Sequence, residues 1–332
     1  MRIELNEHYD FYASRLRGEY LSIYRKVLAS LSKGVTKISV DLPSGDDVNE
    51  QLQLLYYAVD LDNPELFCYS KQVDFSASGS TLNLNYTFEY EKDDVPAFNE
   101  ELIAEVNRIV EIIRKIDDDY EKLYRLNRYL CVRVRGFMST EHIAGNAYGA
   151  LIGKKSRCEG VCKAAKLILD ALGFDNFIAF GEATANGATQ MHTWNMVNVH
   201  GQWYHFDFMW NIGFSMEGKF AIPIYTFFDD ETISIDHTPH YDYPRASDDS
   251  HLFWNIHKCR INSVFELADI DVLPFKQNYY AIAVFPEPLS EYEQTREIIR
   301  WMNTSFAQRN LSQNRGATYI PNLKLGVFFF EN

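Results

Sequence analysis

Cys158 stands where the sequence reads as a helix start. Ser156 and Glu159 form a capping-box pair just before the apolar run Val161, Ala164, Ala165, Leu167, Ile168, Leu169 and Leu172, which ends at Gly173. With Ser156 as the N-cap, Cys158 falls in the first turn. There, free backbone N–H groups and the positive end of the helix dipole stabilise a thiolate and lower the thiol pKa. Arg157 adds to that effect and Glu159 opposes it. A cysteine in this setting is either an activated nucleophile or a small buried hydrophobe. Cys162, one turn later, fits core packing, because Cys-x-x-x-Cys lacks the partner pair that a structural zinc site needs.

Gln190 to Val199 and Gln202 to Met209 are two β-rich runs separated by His200-Gly201, a break that makes a tight hairpin. With a two-residue loop, Val199 pairs with Gln202, His192 lies opposite Met209, and Asp207 lies opposite Trp194. Asp207 is then the diagonal neighbour of His192 on one face, at roughly 7–8 Å between backbones, a gap that two side chains close with a hydrogen bond. That face carries Gln190, His192, Trp194, Trp203, His205 and Asp207. The other carries Met191, Val197, Val199, Tyr204, Phe206 and Phe208, a core pattern. An imidazole oriented by a carboxylate is the general base that a cysteine nucleophile needs. The same pair also fits a cross-strand contact that only stabilises a hairpin. No metal is expected. His200 sits in the turn, which leaves His192 and His205 without a clear third ligand, and the carboxylate already accounts for the oriented histidine.

The elements that must position these groups follow from periodicity and punctuation. Residues 8 to 32 read as a helix stopped by Gly34. Val35 to Leu42 reads as a strand, Val48 to Val59 as a helix closed by Asp62-Asn63-Pro64, and Thr81 to Phe88 as a strand of strict period two. Helices are expected over 97 to 116 and 118 to 134, joined by the acidic Asp117-Asp118-Asp119, which supplies an N-cap. From Asn146 to Gly213 the pattern becomes one helix followed by several strands. Past Pro223, Pro239 and Pro244 the chain is irregular. Tyr279 to Phe285 and Lys324 to Phe330 then read as strands around a helix from Ser290 to Arg309, a β-α-β tail. The expected division is 1–95, a small α+β region; 96–245, the chemical core; and 246–332, the tail.

Composition narrows the classes. The chain has 332 residues with 46% apolar and 23% charged, a globular balance that excludes fibrous repeats and wholesale disorder. A net charge of −14 argues against an electrostatic hold on nucleic acid or anionic lipid, so neither is an expected partner. Five cysteines, an odd number, are unlike a disulfide framework and point to a reducing compartment. Acids near the N-terminus and the lack of a long apolar stretch give the expectation of a cytoplasmic protein.

Taken together, Cys158-Glu159-Gly160, His192-Thr193-Trp194-Asn195 and Asp207-Phe208-Met209-Trp210 resemble the three motif blocks of the transglutaminase-like superfamily, whose core is similar to that of papain-like cysteine hydrolases. Tyr148-Gly149-Ala150-Leu151-Ile152-Gly153 resembles the lead-in of bacterial members. The likeness runs from about Leu123 to Gly213. Val161, Cys162, Met209 and Asn211 depart from the usual residues without removing a reactive group.

The resemblance implies an α+β fold in which a helix carrying the cysteine packs on an antiparallel sheet, with further α+β regions on either side. It implies Cys158 as nucleophile, His192 as general base and then acid, and Asp207 as the orienting carboxylate. The backbone N–H of Cys158 is a natural oxyanion donor. Asn146, Tyr148 and Gln190 are candidates for a second, and Trp194 for a substrate or water-excluding contact. Members join glutamine to amines, hydrolyse peptides or amides, deamidate, or have no known activity. Hydrolysis of a peptide or amide bond, as by a peptidase or amidase acting on a peptide or protein substrate, ranks first because water is the default acceptor. Protein-glutamine acyl transfer, deamidation and a non-catalytic peptide-binding cleft are the alternatives. No cofactor is expected.

Overall fold

Gly18 decides where the first helix begins. The computed structural model describes residues 9–257 apart from 46, 137–140, 186 and 215–222, and beyond them 260–261, 273–275, 278–284, 293, 296, 300, 317–321 and 325–330. Gly18 has φ +51°, outside helical space, so the helix expected over 8 to 32 is split. A 3-10 turn, Ala13–Arg15, comes first, and α1 (Glu19–Leu31) follows. The apolar spacing was helical throughout, but a single glycine breaks the run.

Strand β1 (Lys37–Asp41), helix α2 (Val48–Leu61) and strands β2 (Asp74–Ser78) and β3 (Thr81–Asn85) complete the N-terminal part. The strands form an antiparallel sheet in the order β1-β3-β2, with Ile38 opposite Leu84 and Val40 opposite Leu82. Those four side chains are buried, as their alternation requires. β2 is exposed at every position, which is why no periodicity announced it. Helices α3 (Val95–Ile113) and α4 (Asp119–Arg133) follow, and Asp118 caps α4 by accepting from Glu121 N at 2.9 Å.

Two short parallel strands, β4 (Arg135–Gly136) and β5 (Lys155–Ser156), bracket helix α5 (Ala147–Leu151). Helix α6 (Cys158–Leu172) comes next, buried from Gly160 to Asp170 and ended by Gly173 at φ +89°. Strands β6 (Asn176–Ala185), β7 (Ala188–Val199) and β8 (Gln202–Phe206) lead to helix α7 (Phe208–Phe214). After helix α8 (Asp230–Ile233), strand β9 (His237–Pro239) pairs antiparallel with β6, and the four-stranded sheet has the order β8-β7-β6-β9.

Helix α6 is fixed to this sheet by polar contacts as well as apolar ones. The Cys162 thiol donates to Thr193 O at 3.3 Å, and Asn195 Nδ2 donates to Cys162 O at 3.1 Å. At the other end Lys166 Nζ, fully buried, reaches Asp170 Oδ1 and Asn176 O at 3.2 Å each, while Asn176 Nδ2 donates to the same carboxylate at 2.7 Å. A buried charge pair of this kind is tolerated because its partners are in place, and losing one partner is costly.

The chain divides into two compact units. The first comprises 1–179, 193–201 and 206–222; the second comprises 180–192, 202–205 and 223–332. In the second, helix α9 (Phe253–Ile256) precedes a five-stranded sheet of β10 (Arg260–Ile261), β11 (Leu273–Phe275), β12 (Asn278–Val284), β13 (Ala317–Pro321) and β14 (Leu325–Phe330). β12 and β14 are the two strands expected in the tail. β11 and β13 each contain a proline, which hides a strand from propensity, and β10 is two residues long. Glu293, Arg296 and Arg300 are helical, and the rest of the helix expected over Ser290 to Arg309 lies outside the described residues.

Candidate active site

Cys158 is the first residue of α6, with Arg157 as the N-cap and no side chain closing the cap. The expected capping box does not form. Ser156 belongs to β5, where its hydroxyl donates to Ala144 O at 3.0 Å, and the Glu159 carboxylate faces cations instead. The thiol still stands in the first turn, among N–H groups with no intrahelical acceptor. Gly160 explains how the turn fits. A Cβ there would lie 2.3 Å from Ser156 Oγ and 2.8 Å from Asn146 O, so only glycine lets α6 begin against this backbone.

The thiols divide by environment. Cys68, Cys131 and Cys162 are buried, whereas Cys158 is half-buried. Burial pushes Cys68 up to about 11 and Cys131 up to about 12, and it raises Cys162 well above the ordinary thiol range. Cys259 lies outside the described residues.

The hairpin turn is built as expected. His200 and Gly201 both have positive φ, +53° and +85°, the pattern of a type I′ loop, and Gly201 N donates to Asn198 Oδ1 at 2.9 Å. The second strand stops early, however. β8 ends at Phe206, and Asp207 is not a strand residue but sits at the head of α7, where its Oδ1 accepts from Trp210 N at 2.9 Å and its carbonyl accepts from Asn211 N at 3.1 Å. Aspartate three residues before the N–H that it binds is a strong N-cap, and that signal outweighs the β pattern of Phe206 to Met209.

The face read as polar is also buried. His192 is 4% exposed, His205 1%, and Trp194 and Asp207 are sealed, as are Val197, Tyr204, Phe206 and Phe208 on the opposite face. Met191, assigned to the core face, is 54% exposed, and Gln190 beside it is exposed. Alternation therefore sorted the side chains by chemistry and not by access to water, because this part of the sheet is covered on both sides.

Asn146 and Tyr148 are held by their own neighbours. Asn146 caps α5 through Oδ1, which accepts from Gly149 N at 2.8 Å, and its Nδ2 donates to the Tyr90 hydroxyl at 3.1 Å. The Tyr148 hydroxyl donates to Glu101 at 2.5 Å, and burial together with that carboxylate pushes its pKa up to about 12.

Two clusters escaped sequence reading. In the second unit the rings of His192 and His237 lie 5.4 Å apart; His237 Nδ1 is 2.5 Å from Asp236 Oδ1, and Asp236 Oδ2 accepts from the Tyr225 hydroxyl at 2.7 Å. His192 and His237 both have metal-ligand chemistry. Asp236-His237 was visible as a pair, but it stood in the stretch that read as irregular. His205 is engaged with Asp230 at 3.0 Å, and burial lowers its pKa. In the first unit Glu159 faces Lys71, Arg157 at 3.9 Å and Lys163 at 2.8 Å, and Lys163 lies 2.6 Å from Asp60. Asp60 and Lys71 are remote in sequence, so no local pattern pointed to them.

Residues 107–208 match the Transglutaminase-like superfamily, a span that contains Cys158, His192 and Asp207. No curated protein matches the chain. Among solved structures, "Crystal structure of a TGase" is 14% identical over 52% of this chain and 50% of that one, with a TM-score of 0.30. A "Putative Cysteine Protease from Cytophaga hutchinsonii" is 11% identical over 55% of this chain and 80% of that one, with a TM-score of 0.29. The chain thus spans about half the length of the first of these. Residues 107–208 are thus similar to a transglutaminase-like domain, and the fold is α+β, with the cysteine helix on an antiparallel sheet. Among the described residues no helix is long and apolar enough to cross a membrane.

Proposed function

We propose that this transglutaminase-like domain performs cysteine-dependent acyl transfer on an amide or peptide bond, with water as the acceptor. The observation that carries the reading is the setting of Cys158: first residue of a fifteen-residue helix, and the half-buried thiol among described cysteines that are otherwise buried. The Cys158 sulfur attacks the carbonyl carbon as its proton passes to His192. The backbone N–H of Cys158 stabilises the oxyanion. Collapse breaks the C–N bond, the His192 imidazolium gives its proton to the leaving amine, and a thioester remains. Water, deprotonated by the same imidazole, attacks the thioester carbonyl; the C–S bond breaks, the carboxylic acid leaves, and the imidazolium returns its proton to the Cys158 sulfur. Asp207 keeps the imidazole in the tautomer that accepts at one nitrogen and donates at the other.

The chemistry is assigned to the core at 96–245, and the reading requires no metal. Pre-steady-state turnover of an activated ester or amide tests it. The expected result is a burst of leaving group equal to the enzyme concentration, together with a thioester adduct on the peptide containing Cys158, both lost in Cys158→Ala. A protein that binds peptides but shows no burst would be a non-catalytic module. Release of ammonia from glutamine, or incorporation of an added amine, would move the assignment to deamidation or transamidation.

A further inference from the structure

Glu159 poses a problem for its neighbour. A carboxylate one residue from the proposed nucleophile opposes thiolate formation, and the missing capping box leaves that charge without the backbone N–H that would have engaged it. Three cations take its place. Arg157 and Lys163 come from the same helix start, but Lys163 also lies 2.6 Å from Asp60, which shares its charge. The third, Lys71, comes from the N-terminal region and pairs with Glu159 Oε2.

Lys71 is placed deliberately by the backbone. An isolated bridge joins Tyr69 to Phe88, and Ser70 N donates to Thr87 O at 2.9 Å, so these backbone contacts anchor the residues just before Lys71. Its side chain is 26% exposed and borders a cavity of about 30 Å³ lined also by Tyr56, Asp60, Tyr86, His142 and Lys163. Around its ammonium stand Cys158, Glu159 and Lys163 of α6, Arg157 at its N-cap, Asp60 of α2, and His142 of the turn before α5.

We propose that Lys71 is a positioning residue for the Cys158 nucleophile, acting through Glu159: it neutralises the carboxylate that would otherwise raise the thiol pKa. This deepens the cysteine-nucleophile reading and rests on it. The N-terminal α+β region then contributes to the reactive centre, although it lies outside the span matched to the superfamily. Burial, with Lys163 next, brings Lys71 down to about 7, so its charge is present below neutrality and fades above it.

The experiment is the pH dependence of iodoacetamide alkylation at Cys158, mapped by mass spectrometry in the full chain. Lys71→Met is expected to raise the apparent thiol pKa by about one unit, a roughly tenfold slower alkylation at pH 6. Lys71→Arg restores the wild-type rate and holds it at alkaline pH, where a lysine of lowered pKa is neutral. Glu159→Gln in the Lys71→Met background also restores it, an outcome that a purely structural role for Lys71 would not produce. An unchanged Cys158 profile in Lys71→Met, or no recovery in the double variant, overturns the proposal. If Lys71→Met does not fold, Lys71→Gln decides by the same reading: slower alkylation of Cys158 than in wild type supports the proposal, and an unchanged rate overturns it. Wild-type Cys158 reacting no faster than the buried thiols would instead refute the nucleophile reading itself.

Discussion

Asp207→Asn separates two jobs that one carboxylate does in this fold. The side chain is sealed, and its Oδ1 accepts from Trp210 N at 2.9 Å at the head of α7. Asparagine caps as well as aspartate does, so this hydrogen bond survives and stability should change by a few tenths of a kcal/mol. Asp207→Ala removes the cap and should cost about 1 kcal/mol, or a melting shift of about 2 °C. The proposed catalytic job behaves oppositely. An amide in place of the carboxylate offers an N–H where the imidazole needs an acceptor, which selects the wrong tautomer, and the comparable change in a serine hydrolase lowers turnover about 10⁴-fold. That factor corresponds to about 5 kcal/mol of transition-state stabilisation, far above the cap's share. Thermal melts of both variants, beside burst kinetics on an activated ester, read the two effects independently. Near-normal turnover in Asp207→Asn would refute the orienting role and leave Asp207 as a helix cap. A melt that collapses in the Asn variant would refute the account of the cap.

Brief iodoacetamide treatment at neutral pH should label Cys158 first, since burial raises Cys68, Cys131 and Cys162; mass mapping that finds one of those three ahead of it counts against activation. Activity should survive EDTA, because thiolate attack on a carbonyl needs no Lewis acid, and loss restored by one specific ion would redirect attention to His192 and His237. Asp62 accepts from Tyr12 N at 3.0 Å and Ala13 N at 2.9 Å inside the first unit, so Asp62→Ala should cost about 2–4 kcal/mol in a denaturant melt, by stranding two buried donors. Burial pushes the Asp62 carboxyl up to about 8, above its unfolded value of 3.8. Its contribution is therefore complete at acid pH and lost as pH rises through 8. Asp62→Asn should flatten that decline, and an unchanged pH profile in the variant would show that Asp62 does not cause it.

The legible parts of the sequence were those where one local signal sufficed. Gly173 ends α6 because only glycine sits easily at φ +89°, and His200-Gly201 sets the hairpin because both residues accept positive φ. Asp118 capping α4 was visible for the same reason. Competition between local signals caused the errors. Ser156 has the right spacing to Glu159 for a cap, yet pairing into β5 moved the helix start to Arg157. Phe206 to Met209 continues a β pattern, yet Asp207 starts a helix. Distance in the chain hid the rest. Nothing near Glu159 indicates that its charge is met by Lys71, and β2, exposed along its whole length, carries no periodic signature.

The burial of α6 makes two of its cysteines a matched pair of clocks. Cys162 lies one turn below Cys158, sealed and hydrogen-bonded to Thr193, so a reagent reaches it only when the helix opens. Cys158 stands outside that barrier and reacts at a rate set by its own chemistry. Labelling both in one sample therefore measures the intrinsic reactivity of one thiol and the opening free energy of the helix beneath it, each calibrating the other. A variant that slows only the upper clock has altered chemistry; one that quickens the lower has loosened the scaffold.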